Sequence, residues 1–95
     1  MKCLISCNVT VGTSAMGVFM EKECDLPFCP SEGTSVQTSF LPDSESIVVD
    51  NAILNIDNSA NPTLTVLADC ELEHDRNIDD VIPLFEQAGW VRMEE

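Results

Sequence analysis

Apolar and polar residues alternate over most of this chain, and a period of two places successive side chains on opposite faces of a strand. From Lys2 to Val11 the odd positions are Cys3, Ile5, Cys7, Val9 and Val11, while Lys2, Ser6, Asn8 and Thr10 are even. One face is core and the other is solvent. Gly12-Thr13-Ser14-Ala15 has turn chemistry and folds Met16 to Leu26 back as a hairpin partner. There Met16, Val18, Met20, Cys24 and Leu26 point inward, and Glu21, Glu23 and Asp25 fall together on the other face. Lys22 interrupts the inward set, which fits a bulge or a place near the sheet edge.

Pro27 and Pro30 take residues 26–30 out of the sheet, because each removes a ladder donor. Ser31-Glu32-Gly33 reads as a turn, Thr34 to Phe40 as a short, weakly alternating strand, and Leu41 to Glu45 as another turn. Ser46 to Asp57 is apolar and β-branched, but its parity slips near Asp50-Asn51, which demands a bulge or a tight turn. After the loop at residues 57–62, Thr63 to Asp75 is the cleanest strand. Leu64, Val66, Ala68, Cys70 and Leu72 share one face, and Asp69, Glu71, Glu73 and Asp75 share the other.

A single helix follows, with Ile78, Val81, Ile82, Phe85 and Ala88 on one face. Asn77 or Asp79 caps its start, Asp79 and Asp80 suit the positive end of its dipole, and Gly89 ends it. Pro83 places the start late, near residue 79 or 80, since proline is tolerated best in the first turn. Trp90 to Met93 returns as a short edge strand. The predicted architecture is one α+β domain over residues 1–95: an antiparallel meander of four to six strands, forming an open curved sheet or small barrel, with a C-terminal helix packed on it. Phe28, Val36, Phe40 and Leu41 are the residues expected to close what the helix leaves open.

Charge changes this picture most. There are 17 acidic and four basic residues in 95, a formal charge of −13, and the first 20 residues hold only Lys2. Lys2, Lys22, Arg76 and Arg92 are scattered, so the counterion release that binds nucleic acid and the lipid attraction that binds anionic membranes both lack their cations. A hydrophobic share of 44% nevertheless supports a core, unlike a disordered acidic tail. No run reaches the ~20 apolar residues of a membrane helix, and Asn8, Thr10, Thr13 and Ser14 break up any signal-peptide core. The five cysteines leave one unpaired in any disulfide framework, so the chain is expected to be cytoplasmic.

Cys3, Cys7, Cys24 and Cys70 fall on core parities and read as buried structural thiols. A zinc site on Cys24, Cys29, Cys70 and His74 is the competing use, although its spacing is not that of a zinc knuckle or ribbon. A Cys29–His74 nucleophile is the weakest option. No phosphate loop, nucleophile elbow or dinucleotide fingerprint is present, so neither catalytic residues nor a cofactor are expected, and an enzyme is not.

The acidic rows are the candidate partner-binding residues: Glu21, Glu23 and Asp25 on one strand, and Asp69, Glu71, Glu73 and Asp75 on another. Residues two apart on a strand lie ~6.8 Å apart and point the same way, and if the two strands are neighbours the rows merge. The expected partner is a basic protein surface, such as a nucleic-acid-binding groove, where carboxylates stand in for phosphates. In size and charge the chain resembles the small acidic inhibitors that bacteriophages make against host defence nucleases, including anti-CRISPR proteins. This likeness is one of composition and covers no aligned segment; it implies an inhibitor by nucleic-acid mimicry. The alternative is an assembly module that forms a homodimer or larger homo-oligomer through a strand edge or apolar patch, its acids serving solubility.

Overall fold

A computed structural model of the chain describes residues 2–12, 17–27, 29–57 and 60–93. It shows six strands, β1 (Lys2–Val11), β2 (Gly17–Asp25), β3 (Ser35–Val36), β4 (Ile47–Asn55), β5 (Thr63–Leu72) and β6 (Val91–Arg92), and one helix, α1 (Ile78–Gln87), before β6. The α+β class is as expected, but the meander is not. The strand order is β3-β4-β5-β1-β2-β6. β1 and β5 run parallel while the other neighbours are antiparallel, so the sheet is mixed, and it curls into a half-barrel.

The placement of β1 has an electrostatic consequence. It carries no acid, and it lies between the two strands that carry the rows, β2 and β5. Direct β2–β5 pairing would set carboxylates opposite one another, an unfavourable cross-strand contact. The parity expected for β1 holds, with Cys3, Ile5, Cys7 and Val9 buried. Met20 is buried on β2, and Leu64, Val66, Ala68, Cys70 and Leu72 are buried on β5.

Lys22 needs no bulge. It pairs in regular register with Ile5 and lies half-buried on the inner parity, where its Nζ donates to the Ala88 carbonyl at 2.7 Å. It thus caps α1, whose last turn has no base of its own. The helix begins at Ile78, earlier than expected, because the Asn77 side chain accepts the Asp79 N–H at 3.0 Å. Pro83 therefore sits in the second turn. The carbonyl it leaves unpaired belongs to Asp79, and both residues are exposed, so water can satisfy it. Gly89 at φ 96° closes the helix, with Gly89 N–H to Glu86 O at 3.1 Å and Trp90 N–H to Phe85 O at 3.0 Å.

Val81, Ile82 and Phe85 bury the helix face against the sheet. Phe85 stacks edge-on against Phe40 at 4.9 Å and Trp90 at 5.5 Å, an aromatic centre for this end of the core. Val36, Phe40 and Leu41 help close the core as expected. The Thr13–Ala15 turn, the inward place of Met16, the closing role of Phe28, and Asn58 and Ser59 of the loop lie outside the described residues.

Three boundaries move. β3 shrinks to two residues, β5 stops at Leu72 rather than Asp75, and Ile47–Asn55 is one strand. Its parity slip is a bulge and not a turn: Val49 pairs with Ala68 and Asn51 with Leu67, leaving Asp50 extra. Among the described residues no helix is long and apolar enough to cross a membrane.

Candidate functional site

The outer sheet face is built row by row from the strand register. Glu21, Glu23 and Asp25 of β2 lie opposite Ser6, Leu4 and Lys2 of β1. Asp69 and Glu71 of β5 lie beside Asn8 and Thr10, at the other end of the same strand. The two acidic rows are therefore separated laterally by β1 and displaced along it, and they do not merge. The longer row also loses its straightness, since Glu73 follows the last strand residue and Asp75 sits in a turn. The β2 row has Lys2 across from Asp25 and a half-buried Glu21 paired with exposed Val91.

At the β5 end the structure gathers acids the sequence had left apart. A depression of about 430 Å³ is lined by Glu32, Gly33, Ser44, Ser46, Val48, Val49, Asp50, Asp69 and Glu71. A second of about 570 Å³, lined by Gly12, Glu71, Leu72, Glu73, His74 and Asp75, shares Glu71 with it. Among the described residues, six carboxylates thus surround two adjoining hollows whose linings contain no Lys or Arg. Strand alternation could not supply Glu32 or Asp50. The one signal for Asp50 was the parity slip, which becomes informative only once β4 is known to pair with β5 and Val48 to lie opposite Asp69.

Below the hollows lies an ion pair. Glu45 is 1% exposed and its Oε2 stands 3.3 Å from Arg76 Nε. The same oxygen accepts the Glu73 N–H at 3.0 Å, and Ser44 Oγ donates to Glu73 Oε1 at 3.1 Å. Glu45 Oε1 has no hydrogen-bond partner among the described residues. Arg76 pairs with Glu45 and lines a further hollow with Asp75 and Asp80, so it lies beside the acidic end, whereas Lys22 is committed to the helix end.

The proposed metal ligands do not converge. Cys24 lies opposite Cys3, whereas Cys70 lies beside Val9, six residues and ~20 Å further along β1. No group of three or more potential ligands that could hold a metal ion occurs among the described residues. Cys29 is felt electrostatically by Cys3, while His74 lies against Gly12 at the far end of β1, so these two are not a pair either. Burial raises the Cys3 thiol from its ordinary 9.0 to about 11, with a further push from Cys24. Burial likewise raises Cys70 to about 11, aided by the Glu45 carboxylate, and raises Cys7 further still. At neutral pH all three stay protonated and unreactive. Comparison with family models, curated proteins and solved structures finds no match to this chain.

Proposed function

We propose that this is a small, non-enzymatic interaction protein of the cytoplasm that docks its acidic end on a basic protein surface, most naturally a groove that otherwise holds nucleic acid. The observation that carries the reading is the six-carboxylate rim of Glu32, Asp50, Asp69, Glu71, Glu73 and Asp75 around two hollows with no lysine or arginine among the described residues of their linings. Carboxylates crowded this way repel in the free protein, and a cationic partner relieves that repulsion. Such complementarity speeds encounter and selects the partner. The Glu21, Glu23 and Asp25 row, with Lys2 beside it and at the opposite end, is secondary. An inhibitor of the phage anti-defence or anti-CRISPR kind is the biological role that fits a phosphate-like surface.

Asp69 and Glu71 are the residues to reverse, because both are exposed and neither carries the internal hydrogen bonds of Glu73. Affinity capture from cell lysate with wild type and the Asp69→Lys/Glu71→Lys variant, at low and high salt, tests the reading. A nucleic-acid-binding protein should be retained by wild type, released by salt or by competing duplex DNA, and held at least about tenfold less well by the variant. Capture indifferent to both charge reversal and salt would overturn the proposal.

A further inference from the structure

The acidic end leaves one sheet edge unused, and that edge is neutral. β3 pairs with β4 only at Ile47 and Val48, with Gly33 and Thr34 extending the contact to Val49. From Asn51 to Asn55, β4 pairs with β5 on one side and with no described strand on the other. Residues 51–56 carry no charge, although Asp50 and Asp57 flank them. Ile53, Leu54 and Ile56 are 50%, 49% and 66% exposed, an unusual concentration of apolar surface on an uncovered edge.

We propose that this edge is a self-association surface and that its occupant is a second copy of the same chain, paired antiparallel about a two-fold axis at Ile53. The segment Asn51-Ala52-Ile53-Leu54-Asn55 is nearly palindromic about that residue. In this register Ile53 faces Ile53 of the second copy, Asn51 faces Asn55, and small Ala52 faces large Leu54. The Ala52 N–H points off the sheet, for it is held by its neighbour's Asn51 Oδ1 at 2.9 Å. Strand alternation turns Leu54 the same way. Ala52 and Leu54 of one copy can therefore exchange both backbone bonds with Leu54 and Ala52 of the other, four bonds in all. The Asn51 side chain serves as a placeholder that satisfies the edge in the monomer and yields to the Leu54 carbonyl in the dimer.

An isologous contact of this kind is closed, because each copy uses the same edge and none remains to propagate. The bulge at Asp50 and the start of β3 stop the pairing at one end. The nearest charges across the contact are acids from both copies, Asp50 and Asp57, within two chains that each carry −13. Salt must then strengthen self-association, the reverse of its effect on docking to a basic partner. Asp50 borders both surfaces, but salt acts on them with opposite signs, so the failures of the two proposals can be told apart.

Sedimentation equilibrium at low and raised salt is the test, using wild type, Ile53→Lys and Ile53→Cys. Wild type should shift from monomer toward dimer as salt increases. Ile53→Lys should remain monomeric in both conditions while keeping its circular dichroism spectrum. With the exposed Cys29 replaced by Ser in both, Ile53→Cys should cross-link to its own copy on mild oxidation, whereas Asn55→Cys, which faces Asn51 in this register, should not. A wild-type protein monomeric at ~100 µM in raised salt, a dimer that survives Ile53→Lys, or equal cross-linking at residues 53 and 55 would each overturn the proposal.

Discussion

Glu45 anchors the acidic end, although it is not displayed there. Its carboxylate is enclosed, touches Arg76, and orients the backbone of Glu73 where β5 ends. Removing one member of a buried pair strands the other, which costs about 3–5 kcal/mol when both are enclosed. The Arg76 side chain is 35% exposed, so the loss here is smaller. Arg76→Ala should lower the unfolding free energy in urea by about 2–3 kcal/mol, and Glu45→Gln with Arg76→Met should recover most of it. A loss under about 0.5 kcal/mol for Arg76→Ala would mean the contact holds nothing. The buried thiols give a second residue-level expectation. Folded Cys3 and Cys70 keep their protons to about 11, whereas the unfolded chain loses them near 9.0. Stability is therefore complete below pH 9 and declines as pH rises from there toward 11, because the unfolded state binds fewer protons. Urea midpoints at about pH 8 and about pH 10.5 should show the decline, and Cys70→Val should lessen it while Cys3 and Cys7 sustain the rest; an equal decline in that variant would reject the contribution of Cys70.

α1 has ten residues, too short to persist alone. It depends on its buried face, on the Asn77 cap, on the Gly89 closure and on Lys22 reaching across from β2. A charged hydrogen bond at the negative end of the dipole contributes about 1–2 kcal/mol. Lys22→Met, which keeps the apolar stem, should reduce stability by that amount in urea unfolding; no change would show that the stem alone matters. Much of this element was legible beforehand, since the spacing from Ile78 to Phe85, Asn77 and Gly89 are local signals. The role of Lys22 was not, because its partner carbonyl at Ala88 is 66 residues away. β4 shows the same limit. Its parity slip announced an irregularity, but only the register against β5 shows that Asp50 bulges out and the neutral edge begins at Asn51.

Over the whole molecule, charge and apolar surface are segregated. Six acids crowd one end of the outer face, a shorter acidic row lies at the other end, and the neutral 51–56 edge begins directly after Asp50, a member of the larger cluster. Pairing copies through that edge extends the sheet with both outer faces on the same side, since the two-fold axis runs through the sheet. Salt-dependent capture and salt-dependent mass read these surfaces separately, with opposite signs. The alternation of side chains determined by itself that β1, β2 and β5 exist and which of their faces is buried, because a period of two is local. Composition determined the excess of acid. Only the tertiary structure decided that β1 separates the acidic rows, that β5 lies parallel to it, and that Glu32 and Asp50 join Asp69 and Glu71. Strand neighbours are chosen by long-range packing, which leaves no periodic mark on the chain.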